Sequence, residues 1–251
     1  MFPYKDDNPT ELTPYITVAV IALNVLAWVV LQGMGAPALL AHSVCRLGLI
    51  PGELLRTVPP HTVVPLGPGL ACTTTAHPAY ATVFTSMFMH GGWFHLIGNM
   101  WFLWIFGDNI EQDLGRVRYT VFYLLCGILA SLTHVAMNAS GPSAQIPSLG
   151  ASGAISGVMG AYLVLHPYRR VTVLLMRIVT EVPGFVAVGL WFLFQLVSGL
   201  QVFGGASSGV AYGAHIGGFI AGAALVKLFQ IGRPPPSPLR QSYRQARAPW
   251  V

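Results

Sequence analysis

The stretch "SLGASGAISGVMGAYLVLHPYRR", residues 148–170, decides the reading of the chain. It opens on glycines around Ser152 and runs apolar for about fifteen residues. His166-Pro167-Tyr168-Arg169-Arg170 then stops it. A membrane-crossing helix needs about 20 apolar residues. A span this short starts below the bilayer surface, and loose backbone at that depth is tolerated only inside protein or against a wet cavity. Ser152 therefore poses a choice between a packing residue of a helix and a reactive hydroxyl in a protein-lined pocket.

The rest of the 251-residue chain favours lipid as solvent. Hydrophobic residues make up 54% and charged residues only 8%, against about 25% charged in a soluble domain. Six apolar segments stand out, at 15–34, 82–107, 117–137, 152–166, 184–203 and 209–230. The expected fold class is an all-α membrane protein of six transmembrane helices. A large outer loop, 35–81, separates the first two helices. Residues 1–14 read as a cytoplasmic lead, 15–230 as the six-helix domain, and 231–251 as a disordered, basic, proline-rich cytoplasmic tail. The acids Asp6, Asp7 and Glu11 ahead of the first segment argue against a cleaved signal peptide, which wants a positive start.

Charge placement sets the orientation. With six spans, eleven of the thirteen Lys and Arg residues fall on one side, and only Arg46 and Arg56 on the other. Both termini are expected in the cytoplasm, in a bacterial plasma membrane. The net charge of +5 then belongs to the membrane partition and to lipid headgroups, not to nucleic acid. Cys45 and Cys72 share the outer loop, where they either pair or stay as two thiols, and Cys126 lies in the third span. No Cys/His spacing resembles a metal site, and no cofactor is expected.

Three features move Ser152 away from a packing role, which is the usual one for serine in a membrane helix. His215 sits inside "AYGAHIGGFIAG", 211–222, and ionisable groups within a span are costly and mark function. Gly218 and Gly222 share its face; Gly153, Gly157 and Gly160 flank Ser152. Two glycine surfaces allow backbones to approach, which brings a hydroxyl to an imidazole as a base-activated nucleophile requires. His95 and Asn99 in "HGGWFHLIGN", 90–99, lie at i and i+4 on one helix face. Both can donate to a developing oxyanion. The Ser152 N–H adds a third donor, because the first amides of a helix lack intrahelical acceptors. None of the eight acids lies in the apolar middle of a span, so a dyad, not a triad, is expected.

Together "HGGWFHLIGNMWFLWIFGDNIEQDLG", "GASGAISGVMGAY" and "AHIGGFIAG" resemble the rhomboid intramembrane serine proteases. The resemblance covers His90 to about Leu225. It implies a rhomboid-like bundle with Ser152 as nucleophile and His215 as general base. It also implies an oxyanion hole of His95, Asn99 and the Ser152 N–H. His90, Gly150 and Gly153 take supporting places. Trp191, Phe192 and Phe194 in the fifth span fall at a lateral gate, with residues 203–210 as its cap. The implied substrates are transmembrane proteins. Two departures stand out: Ser156 occupies a position where some bacterial relatives carry tyrosine beneath the histidine, and the outer loop lacks tryptophan. The alternatives are a catalytically silent rhomboid-like binder of membrane proteins and a small-solute transporter using His90, His95 and His215.

Overall fold

A computed structural model describes residues 2–67, 70–175, 177–203, 210–235 and 237. Most of the tail expected to be disordered, 231–251, and the cap segment 204–209 lie outside the described residues. The chain runs β1 (Phe2–Asp6), α1 (Tyr15–Val30), α2 (Pro37–Leu47), α3 (Pro51–Leu54), β2 (Val63–Gly67), β3 (Leu70–Thr73), α4 (Thr82–Thr85) and α5 (Trp93–Leu114). It continues α6 (Arg116–Met137), α7 (Ser152–Leu165), β4 (Arg170–Leu175), β5 (Ile178–Pro183), α8 (Gly184–Phe203) and α9 (Tyr212–Phe229). The fold is mostly helical, as a membrane bundle requires. Among the described residues, α6 and α9 are long and apolar enough to cross a bilayer; α1, α7 and Gly184–Leu200 of α8 are shorter apolar helices.

Helix boundaries follow from local chemistry. The second apolar segment is split, since Met89–Gly92 is not helical and α5 starts only at Trp93. Gly115 ends α5 at φ 74°, a left-handed conformation that L side chains avoid. α7 stops at His166, whose follower Pro167 disfavours helical geometry before it. That accounts for the short fourth segment.

α7 and α9 meet backbone to backbone. A Cβ at Gly218 or Gly222 would collide with the carbonyls of Gly153 and Gly157, and one at Gly160 with the carbonyl of Phe219. Gly153 also leaves room for Ala130 of α6, and Gly157 for Cys126. The aromatic core lies toward the far ends of α5 and α7. There Phe106 meets Tyr162 edge-on at 4.9 Å.

One end of the bundle is closed by a small sheet that the sequence does not announce. Its order is β1-β4-β5, all antiparallel, with Asp6 opposite Val171 and Thr172 opposite Glu181. The N-terminal lead is thus a paired strand. Trp101 Nε1 donates to Pro3 O at 2.8 Å. Acids of α5 organise this end. Glu111 is fully buried and accepts from Ile16 N (3.0 Å), Thr17 N (2.8 Å) and Thr17 Oγ1 (2.8 Å). A carboxylate there satisfies orphan amides of α1 and complements its dipole. Asp113 meets His166 Nε2 at 2.5 Å, joining α5 to the end of α7. Arg118 donates to Phe229 O and Ile231 O at the end of α9.

At the other end the described residues of the 35–81 segment carry regular structure rather than a bare loop. They form α2, α3 and the β2–β3 hairpin, and Cys45 is disulfide-bonded to Cys72. Closing a loop of this length is worth about 3–4 kcal/mol. Leu49 pairs with Ser148 in both directions, and Thr85 Oγ1 donates to Leu47 O at 2.9 Å. The segment is therefore tied to the chain just ahead of Ser152.

Two outcomes test this architecture. Gly222→Ala, which drives a methyl into the Gly157 carbonyl, is expected to lower stability by about 1–3 kcal/mol in a detergent unfolding titration; an unchanged midpoint contradicts the α7–α9 contact. Burial and then the nearby Asp108 push the Asp6 carboxyl up from 3.8 to about 8, although Tyr162 and Asn109 donate to it. The folded chain thus holds a proton that the unfolded chain releases near pH 4. The stability this group contributes is full below that pH and falls as pH rises toward 8. Asp6→Asn, which keeps an acceptor, is expected to flatten that fall in melting temperature between pH 5 and 8.

Candidate active site

Ser152 is the first residue of α7. The chain reaches it through Gly150, held at φ 126°, whose N–H donates to Ser86 O at 2.9 Å. The first turn closes when Ile155 N donates to Ala151 O at 3.0 Å. The amides of Ser152, Gly153 and Ala154 precede that bond and have no intrahelical acceptor. Ser156, one turn on, donates its Oγ to Ser152 O at 2.6 Å. No aromatic ring stands at that position.

α9 brings His215 against this turn through the glycine contact. Its Nε2 lies 2.8 Å from Ser152 Oγ. The structure thus brings the two sequence-selected side chains into direct hydrogen-bond contact. On the other side of the ring, Nδ1 lies 2.7 Å from Oε1 of Gln195 of α8. Trp191, one turn before Gln195, packs its ring 6.0 Å from the imidazole, and Tyr212 approaches it edge-on at 6.4 Å.

α5 supplies the facing wall. His95 and Asn99 share a face, as their spacing predicts. A Cβ at Gly150 would lie 2.8 Å from His95 Nε2 and 3.5 Å from Ser152 Oγ. His95 and Ser152 therefore converge where a side chain on residue 150 would block them. Asn99 is 8% exposed, and its Nδ2 donor has no protein partner among the described residues. A buried amide left open in this way is available to an incoming acceptor. His90 does not reach the dyad. It is fully buried, packs edge-on against His95 at 5.1 Å, and has its backbone gripped at both N and O by Gln32.

The aromatic residues of α8 divide. Phe192 stacks on Phe219 of α9 with centroids 3.9 Å apart, and Trp191 bridges Phe102, His215 and Phe219. Phe194 points out, 62% exposed. Two of the three expected gate residues thus face the bundle rather than its surround.

The sequence reading missed Gln195 and Gln32. Gln195 had a signal: it is the one amide in the apolar run "GLWFLFQLVSGL", 189–200, and a polar group there needs a partner. Gln32 lies past the end of α1, and nothing local marks it. No group of three or more His, Cys, Asp or Glu able to hold a metal occurs among the described residues.

Comparison with known proteins finds rhomboid-like sequences. RHOMBOID-like protein 1 of Arabidopsis thaliana is 34% identical over 149 residues, 59% of this chain and 34% of that protein. Rhomboid protein 1, mitochondrial, of Saccharomyces cerevisiae is 32% identical over 144 residues, 56% of this chain and 39% of its own length. Presenilin-associated rhomboid-like protein, mitochondrial, of Mus musculus is 32% identical over 115 residues, 44% of this chain and 30% of its own. The chain spans about a third of the length of these relatives. The compartment named for two of them is mitochondrial. That overturns the bacterial plasma membrane expected from the sequence, and with it the cytoplasmic placement of the termini. The Rhomboid domain matches residues 77–230, well over half of the chain and all of α5 to α9, and the protein belongs to the rhomboid family.

Proposed function

We propose that this protein is an intramembrane serine protease that hydrolyses peptide bonds within or near transmembrane segments of membrane proteins. The observation that carries the reading is the 2.8 Å contact between Ser152 Oγ and His215 Nε2, made between two helices whose glycines let their backbones meet. α1, α5, α6, α7, α8 and α9 serve as the six spans, and the 35–81 segment lies at the site end.

His215 takes the Ser152 proton as Oγ attacks the substrate carbonyl. Negative charge then grows on the carbonyl oxygen. The Ser152 N–H, His95 and Asn99 donate to it, the first helped by the positive end of the α7 dipole. His215 returns the proton to the leaving nitrogen, and water hydrolyses the acyl-enzyme by the same steps. His90 and Gly150 hold His95 in place and keep its approach open; Gly153 lets α7 seat against its neighbours. Trp191 and Phe192 seal the α8–α9 side, and Phe194 faces an arriving segment. Surrounding lipid supplies the substrate by lateral diffusion.

Reconstituted in proteoliposomes with a single-span reporter, Ser152→Ala and His215→Ala are each expected to lower kcat by about 10⁶-fold. Normal turnover by either contradicts the assignment. Asn99→Ala is expected to lower kcat by about 10²–10³-fold with little change in KM. A pure rise in KM removes Asn99 from the oxyanion role.

A further inference from the structure

The dyad leaves a requirement unmet by its two members. For His215 Nε2 to accept the Ser152 proton, that nitrogen must be bare, and a neutral imidazole then carries its one proton on Nδ1. In a triad an acid enforces that tautomer. Here, among the described residues, the hydrogen-bond partners of the ring are Ser152 and Gln195. Ser156 leaves the histidine without an aromatic ring at that position of α7, so the ring is constrained from the α8 side.

Gln195 fits the vacancy chemically. Its Oε1 lies 2.7 Å from Nδ1, and a carbonyl oxygen accepts but never donates. The residue is 6% exposed, which keeps water from competing for Nδ1. Trp191, at i−4 on the same helix, packs its ring near the same imidazole, so one face of α8 both packs the ring and accepts its hydrogen bond. Swapping the tautomer would leave Nδ1 and Oε1 as two facing acceptors unless the amide turned over, and would point the Nε2 proton at Ser152.

We propose that Gln195 is the positioning residue of the site, occupying the place an acid holds in a triad. Resting on the hydrolase reading above, it holds His215 in the Nδ1–H tautomer with Nε2 aimed at Ser152 Oγ. As Oγ bonds to the carbonyl carbon, its proton passes to Nε2 while Nδ1–H stays bonded to Gln195. The Nε2 proton then leaves with the amine as the C–N bond breaks. A neutral amide aligns the ring throughout without placing a second charge in an apolar bundle.

The test compares Gln195→Met, which keeps length but loses the acceptor, with Gln195→Glu, which keeps an acceptor and adds charge. Both are assayed from pH 5 to 9 in proteoliposomes beside wild type and Ser152→Ala. Gln195→Met is expected to lower kcat by about 10²-fold with KM within about twofold. Gln195→Glu is expected to recover most of that loss and to move the acid limb of the kcat profile to higher pH, because a carboxylate holds the imidazolium more tightly. A Met variant with wild-type kcat overturns the proposal, as do Met and Glu variants that lose kcat equally with an unmoved acid limb. Turnover by Ser152→Ala sinks the hydrolase reading instead, so the two failures are distinct. Should the Met variant not fold, ¹⁵N NMR of histidine-labelled wild-type protein decides. The His215 signal, assigned by its loss in His215→Ala, is expected as Nδ1–H; an Nε2–H signal overturns the proposal.

Discussion

The contact of α7 with α9, backbone on backbone, is the constraint on which the rest of the molecule depends. Helices separated by ordinary side chains pack about 8–10 Å apart, and side chains at this seam would collide with the facing carbonyls. Gly153, Gly157, Gly160, Gly218 and Gly222 remove that spacing. Little hydrophobic driving force acts between helices in lipid, so close van der Waals contact and buried hydrogen bonds must hold them. The glycine seam supplies the first, and the Ser152–His215–Gln195 chain supplies the second and extends it to α8.

The two ends of the bundle divide the work. At the sheet end, buried charges and amides secure helix termini: Glu111 caps α1, Arg118 the end of α9, and Asp113 with His166 joins α5 to α7. Those bonds tie the ends of α1, α5, α7 and α9 to their neighbours. At the site end, α7 and α9 bring Ser152 and His215 into contact, and α5 holds the Asn99 donor that has no partner among the described residues. The disulfide-tied 35–81 segment pins the chain ahead of Ser152, so the residue is approached through Gly150 from a fixed direction.

Much of this was legible in the chain. Glycines four residues apart around an intramembrane histidine signal close helix contact, and the i, i+4 pair of His95 and Asn99 signals a shared face; both follow from helix periodicity alone. The breaks at Gly115 and before Pro167 are equally local. The sheet was not legible, because β1 lies more than 160 residues from β4 in sequence and such pairing leaves no periodic mark. Glu111 read as a flanking acid because its purpose, capping a helix about 95 residues earlier, is a tertiary one. Gln195 sat in view within an apolar run, but its meaning depends on the rotation of α8, which sequence does not specify. Cys45 and Cys72 shared a loop, yet only the packing of α2 on the hairpin joins them.

Covalent labelling tests the central claim most directly. A fluorophosphonate probe is added to the reconstituted protein, and the modified residue is found by mass spectrometry of peptides. The account predicts one modified serine, Ser152, with the label lost in a folded His215→Ala variant. Labelling of a different serine, or equal labelling of Ser152 without the imidazole, would contradict it.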